Sequence, residues 1–198
     1  DRHRVSPRPP KARCGMNAFS MPERIETERL NLVQWRREHF EVVAEFNRDR
    51  ELTRFVGGVM RRGDAFRAFL TFVGHWSLRG YGPYAVENKY GEIMGQTGLF
   101  NPAGWPELEL AYDFARIAHG RGYATEAARA VRDVAAERGL TFLVSLIHPD
   151  NTPSVRVAER LGAVPANTIE LMGAPVVRFV HTMTPAGEPG QTLDAEGH

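Results

Sequence analysis

Residues 107–115 (ELELAYDFA) alternate large apolar side chains with polar or small ones and lead into residues 119–127, HGRGYATEA. Strict alternation is the period of a half-buried strand: Leu108, Leu110, Tyr112 and Phe114 share one face, and Glu107, Glu109, Ala111 and Asp113 the other. Past the glycines the period becomes helical, with Ala127, Val131, Val134 and Ala135 on one side as far as Arg138, where Gly139 stops it. Residues 141–147 (TFLVSLI) are then almost wholly apolar, as in a central strand covered on both faces. A strand, a helix and a buried strand in that order predict an α/β mixed sheet with helices on its faces.

The remaining elements fit such a sheet. Residues 28–35 (ERLNLVQW) read as a first strand. Two helical patterns follow, over residues 37–48 and 64–78, and Gly80 ends the second. Residues 84–87 and 92–100 form a hairpin around Asn88-Lys89-Tyr90-Gly91, so the alternating stretch is the fourth strand and TFLVSLI the fifth. A helix over residues 152–161 carries Pro153 in its permissive first turn. Two last strands are expected near 168–172 and 176–183, giving about seven strands and four helices.

Length bounds the domain count. At 198 residues the chain makes one domain, expected over 23–185, between a mobile tail at 1–22, rich in Arg and Pro, and a flexible tail at 186–198. The first residues read as an extension ahead of a start at Met16 or Met21. A formal net charge of +1 gives no basis for a nucleic-acid partner, and no apolar run approaches the roughly 20 residues of a membrane span. The single cysteine, Cys14, excludes an internal disulfide and a Cys-rich metal site and fits a reducing cytoplasm; no metal is expected.

Between a strand and a helix, a corner with two glycines is a place for an anion. The first amides of a helix have no internal acceptor, and the helix dipole favours negative charge there. Gly120 and Gly122 let the main chain come close to phosphate oxygens, and Arg121 adds a charge at the rim. A plain strand-to-helix turn would use the same glycines for geometry alone. The corner is no P-loop, since no Lys-Ser/Thr pair follows it. A dinucleotide fingerprint is the other phosphate reading; Thr125 fills its third small position poorly, and its ribose-binding acid is missing where Ile147-His148-Pro149-Asp150-Asn151 ends the next strand.

His119-Gly120-Arg121-Gly122-Tyr123-Ala124 resembles the acetyl-coenzyme A signature of the GNAT superfamily of N-acetyltransferases, [QR]-x-x-G-x-[GA], matching at Gly122 and Ala124 and departing at His119. GYATEA is similar to the RimJ/RimL-like branch, the ribosomal-protein N-terminal acetyltransferases. So are Glu28-Arg29-Leu30, Gly95-Gln96-Thr97-Gly98-Leu99, Asn151-Thr152-Pro153-Ser154 and Glu159-Arg160-Leu161-Gly162-Ala163, in the same order over about 24–184. The resemblance implies a GNAT-like mixed, mostly antiparallel sheet splayed at its fourth and fifth strands, with acetyl-coenzyme A as cofactor. It implies that the pantetheine arm pairs with main chain at Tyr112, Asp113 and Phe114. The pyrophosphate would then meet His119, Gly120, Arg121, Gly122, Tyr123, Ala124 and Thr125.

Amide formation from a thioester needs a neutral amine and a proton for the departing sulfur. Glu109, on the polar side of the fourth strand, matches a glutamate often found there in the family and is the first candidate base; Glu107, Asp113 and His148 are weaker ones. The tyrosine that many relatives use as acid is replaced by Ala158, and in the RimJ/RimL-like branch Ser154 can serve instead. Asn151 caps the following helix or bonds the pantetheine. Arg54, Phe55, Trp76, Tyr84 and Trp105 are candidates for the acceptor pocket, although most of these aromatics also suit a core. The acceptor is expected to be an amine, either a peptide N-terminus or a small molecule such as a polyamine or an antibiotic. The other reading is a non-enzymatic acyl-coenzyme A sensor. The last strands often make dimers in this family, and these residues leave a homodimer undecided.

Overall fold

The computed structural model describes residues 19–184. Its strands are β1 (Arg24–Glu26), β2 (Leu30–Val33), β3 (Pro83–Asn88), β4 (Ile93–Phe100), β5 (Glu109–Phe114), β6 (Phe142–Ile147), β7 (Val164–Leu171) and β8 (Ala174–Thr182). The helices are α1 (Phe40–Phe46), α2 (Arg62–Arg79), α3 (Tyr123–Glu137) and α4 (Thr152–Arg160), with single 3-10 turns at Arg37–His39 and Arg116–Ala118. The eight strands form one sheet in the order β1-β2-β3-β4-β5-β6-β8-β7. Every pairing is antiparallel except β5 with β6, which are joined by α3 and run parallel.

Eight strands replace the seven expected because three residues, 24–26, pair with β2; a strand that short carries too little alternation to read. The alternating fourth strand of the sequence is thus β5, and the apolar fifth is β6. The first helix is shorter than its pattern: a 3-10 turn covers 37–39 and the α-helix ends at Phe46. The expected tail shrinks as well. Met21 is buried, its amide donates to the Gly80 carbonyl at 2.9 Å, and Phe19 packs edge-on to Tyr81. Residues 1–18, with Cys14 and Met16, and residues 185–198 lie outside the described residues.

Both faces of the sheet are covered. On one, Leu110, Tyr112 and Phe114 of β5 pack with Ala127, Val131 and Ala135 of α3 and Ala158 of α4. On the other, α1 and α2 bring Val43 and Phe69 against Val33, Trp35 and Ala85. The glycines of β4 answer to strand spacing. A side chain on Gly95 would strike the Asp113 carbonyl and Phe114 of β5, and one on Gly98 would strike the Gly82 carbonyl and Pro83.

Candidate active site

Glu109 and Val144 are the only paired residues between β5 and β6, and Val144 N–H donates to the Leu108 carbonyl at 3.2 Å. In a continuous parallel ladder the next bond would run from Leu146 N–H to the Leu110 carbonyl. Two side chains take its place. Ser145 Oγ donates to the Leu110 carbonyl at 2.8 Å, and Leu146 N–H turns to Glu109 Oε1 at 3.4 Å. Beyond this point the strands separate, and the β5 edge at Tyr112, Asp113 and Phe114 faces no strand partner from β6. Because Ser145 donates its only proton to Leu110, it accepts from His181 Nε2 at 3.0 Å. Burial pushes the His181 pKa down to about 4, so the ring is neutral, and its Nδ1 has no partner among the described residues.

A cavity of about 980 Å³ passes through this gap. Tyr112, Asn151 and Ser154 line it on the α4 side; Glu109, Trp105, Arg54 and Phe55 line it on the other. Glu109 is 9% exposed, and Trp105 Nε1 donates to its Oε2 at 2.6 Å. Burial raises its pKa to about 7, against the opposing pull of the Trp105 and Leu146 hydrogen bonds, and nearby Asp113 pushes it the same way as burial. A carboxylate near neutrality is suited to general-base work. The second acid, Glu107, is held by Arg178 through two bonds of 2.7 Å. Asp113 accepts from Gln96 Nε2 at 3.1 Å, and burial raises its pKa too.

Around α4, Asn151 caps the helix by accepting from Ser154 N–H at 3.4 Å. Tyr112 donates its hydroxyl to the Ser154 carbonyl at 2.9 Å. Ser154 Oγ itself has no protein partner among the described residues and belongs to the cavity wall. His148 stacks on Phe55 with ring centroids 5.0 Å apart, which joins the loop before α2 to the end of β6.

The corner at 119–125 stands outside that cavity. Gly120 and Gly122 have φ of 73° and 77°, a left-handed conformation that other residues adopt only with strain. Gly122 is the residue immediately before α3, and the amides of residues 120–125 have no acceptor among the described residues. His119 does not add a donor beside them: its Nε2 meets the Phe114 carbonyl at 2.9 Å. No motif signalled the clamp that fixes this corner. Arg29 Nε donates to Glu126 Oε2 at 2.6 Å, Thr27 Oγ1 to Glu126 Oε1 at 2.6 Å, and Arg29 Nη1 to the Arg121 carbonyl at 2.9 Å. Arg29 also lies 4.8 Å above the Tyr123 ring. A shallow depression here is lined by Gly122, Thr125, Arg29, Arg129 and Arg160, with the carboxylates of Glu28, Glu126 and Asp133 among them. Bare amides, two left-handed glycines and arginines make a donor set that fits a pyrophosphate.

Two acceptor candidates are displaced. Trp76 and Tyr84 are buried in the core 4.7 Å apart, and their polar tips are already bonded to the carbonyls of Pro83 and Pro22. Both conform to the core role open to them from the start, because their rings pack into the same apolar cluster as the inner face of α3. The alternative wall comes from residues that no motif marked. Phe46, Phe72 and Phe100 line the cavity, and Arg116 closes onto Asp49 with two 2.7 Å bonds, latching the loop after α1 to the end of β5. No group of three or more His, Cys, Asp or Glu placed to hold a metal occurs among the described residues, and no described helix is long and apolar enough to cross a membrane.

The profile of the acetyltransferase (GNAT) domain family matches residues 29–164. YkkB of Bacillus subtilis (strain 168), an uncharacterized protein, is 37% identical over 114 residues, covering 53% of this chain and 66% of that one. An acetyltransferase from Agrobacterium tumefaciens str. C58 superposes with a TM-score of 0.75 at 31% identity, over 83% of this chain and 96% of its own. RimL, a ribosomal L7/L12 α-N-protein acetyltransferase solved with coenzyme A, has the same fold at 18% identity and a TM-score of 0.68, over 81% of this chain and 98% of its own.

Proposed function

The chain belongs to the GNAT acetyltransferase family, and from that premise we propose that it moves an acetyl group from acetyl-coenzyme A to a primary amine by direct attack. Its motifs resemble those of the RimJ/RimL-like branch, and RimL shares its fold, a likeness in architecture and cofactor motifs that leaves the acceptor open. The observation that carries the reading is Glu109, a buried carboxylate with a pKa raised to about 7, set where β5 and β6 part and open to the cavity.

When bound, acetyl-coenzyme A supplies an acetyl group activated as a thioester. Residues 120–125 would hold its pyrophosphate through their amides, and the free edge of β5 at Tyr112, Asp113 and Phe114 its pantetheine arm. Glu109 takes the proton that an ammonium must lose before it can attack. Its raised pKa makes it a stronger base than an ordinary carboxylate with a pKa of about 4.3. Trp105 holds Oε2 and Leu146 holds Oε1, so the carboxylate is aimed before the acceptor arrives. We assign to Ser154, whose hydroxyl has no partner among the described residues and lines the cavity, the return of a proton on the α4 side. The single cysteine fits a cytoplasmic setting.

Thiol release from acetyl-coenzyme A, measured with pools of amines and peptides, tests this. Release with the native chain and its loss in Glu109→Gln, at unchanged acetyl-coenzyme A affinity by calorimetry, is the expected result. Equal turnover in the variant removes Glu109 as base. Binding without release for any acceptor would leave a sensor of acyl-coenzyme A.

A further inference from the structure

The same cavity narrows the acceptor, and the narrowing rests on the acetyltransferase reading above. We propose that the acceptor is a primary monoamine on an apolar, ring-sized body, and not a polyamine, an aminoglycoside or a peptide N-terminus. The wall on the Glu109 side of the gap is aromatic. Phe100 meets Trp105 at 5.4 Å and Phe72 at 6.1 Å, both edge-on, and Trp35 stacks on Phe72 at 6.0 Å. Phe46 and Leu52 extend the apolar lining from α1 and the loop after it. Between Glu109 and Asp113 the floor is Ala111, which adds room and no polar group.

The charges around the cavity are mostly answered from within. Asp49 is bonded twice by Arg116. Asp113 is bonded by Gln96, and its burial favours the neutral carboxyl. Glu45 is a largely exposed side chain at the margin, 3.8 Å from Arg48. Arg54 lies over the Phe55 ring at 5.0 Å. Glu109 is left as the carboxylate that meets an incoming ammonium among apolar groups.

One ammonium is therefore matched by a buried carboxylate, whereas a second would meet only the uncharged Gln96 Oε1, which is buried without a partner among the described residues. A second buried cation without a partner is heavily penalised, as are peptide amides set against phenyl rings. An aryl or branched alkyl body gains from the same wall, and desolvation among the rings lowers the pKa of the one ammonium, which eases transfer of its proton to Glu109. A volume of about 980 Å³ leaves space for such an amine beside the pantetheine arm.

The test compares kcat/KM for phenethylamine, spermidine, kanamycin and a short peptide with a free N-terminus, by thiol release at saturating acetyl-coenzyme A. Phenethylamine should exceed the other three by at least about a hundredfold. In Ala111→Leu the KM for phenethylamine should rise about tenfold while acetyl-coenzyme A affinity holds, because one large side chain fills the floor. Spermidine, kanamycin or the peptide matching phenethylamine would overturn the acceptor class and leave acetyl transfer standing. An unchanged KM in Ala111→Leu would overturn the placement of the ring on that floor. Silence from phenethylamine with release from another amine of the wider pool would overturn the acceptor class, and binding without release for every pooled acceptor would remove the transferase reading and this inference with it.

Discussion

The corner at 119–125 and the cavity in front of Glu109 are built from different materials. The corner is main chain: bare amides, two glycines with positive φ and the start of α3. Its side chains chiefly brace it, as Arg29 and Glu126 do. The cavity wall is made of side chains from α1, the loop after it, α2, β4 and β5. A main-chain site needs a few residues in a row, whereas a side-chain site draws on positions far apart in the chain. The difference is one of constraint: the corner tolerates few substitutions at its glycines, while the wall can be rebuilt one residue at a time without disturbing the cofactor.

The sharpest way to separate the regions is Glu109→Gln. It should lower kcat by about a hundredfold or more and leave acetyl-coenzyme A affinity within about twofold. Next comes Gly122→Val, which forces a branched side chain into φ of 77° at the first amides. Acetyl-coenzyme A affinity should fall at least about tenfold, with about 1 to 2 kcal/mol lost from folding in a denaturant titration. The comparison breaks if Gly122→Val alters only the acceptor KM.

The pH dependence bears on the cavity alone. Below about pH 7 Glu109 holds its proton, so kcat/KM should fall about tenfold per pH unit on the acid side. Stability should move the other way. The pKa is raised from 4.5 to about 7, so between those values the folded chain binds a proton that the unfolded chain has lost. Glu109 is therefore no burden below about pH 4.5, and its burial costs up to about 3 kcal/mol as pH rises past 7. Thermal melts should show the native chain losing stability between about pH 5 and pH 8, with a flatter profile for Glu109→Gln. Smaller effects follow at the braces. Glu126→Gln should weaken acetyl-coenzyme A binding about threefold, since the Arg29 clamp is partly exposed to solvent. Arg116→Ala should raise only the acceptor KM, by about twofold, by releasing the loop that Asp49 anchors.

The alternation of β5, the helical run of α3 and the apolar run of β6 were legible because each fills one period over six residues or more. The glycine turn between β5 and α3 was legible because it is local. Trp76 and Tyr84 looked like pocket residues because aromatic type does not tell which face of the sheet a side chain meets. Ser145 and His181 carried no signal, since their contact depends on the pairing of β6 with β8, 36 residues apart in sequence. The Arg29 and Glu126 clamp escaped for the same reason, although both residues sit inside motifs that were noticed separately. A motif shows that a residue type recurs at a spacing, and the partner that explains it comes only from the fold.

Leu146 gives the molecule a readout of its own. Its amide proton points at Glu109 Oε1, so its magnetic environment depends on whether that oxygen is charged. The nitrogen and proton resonances of this one backbone group should titrate with a midpoint at about 7, with no substrate and no label beyond isotopic nitrogen. Spectroscopy of Leu146 would then follow the proton of the candidate base directly and would register an occupant beside it as a shift in the midpoint.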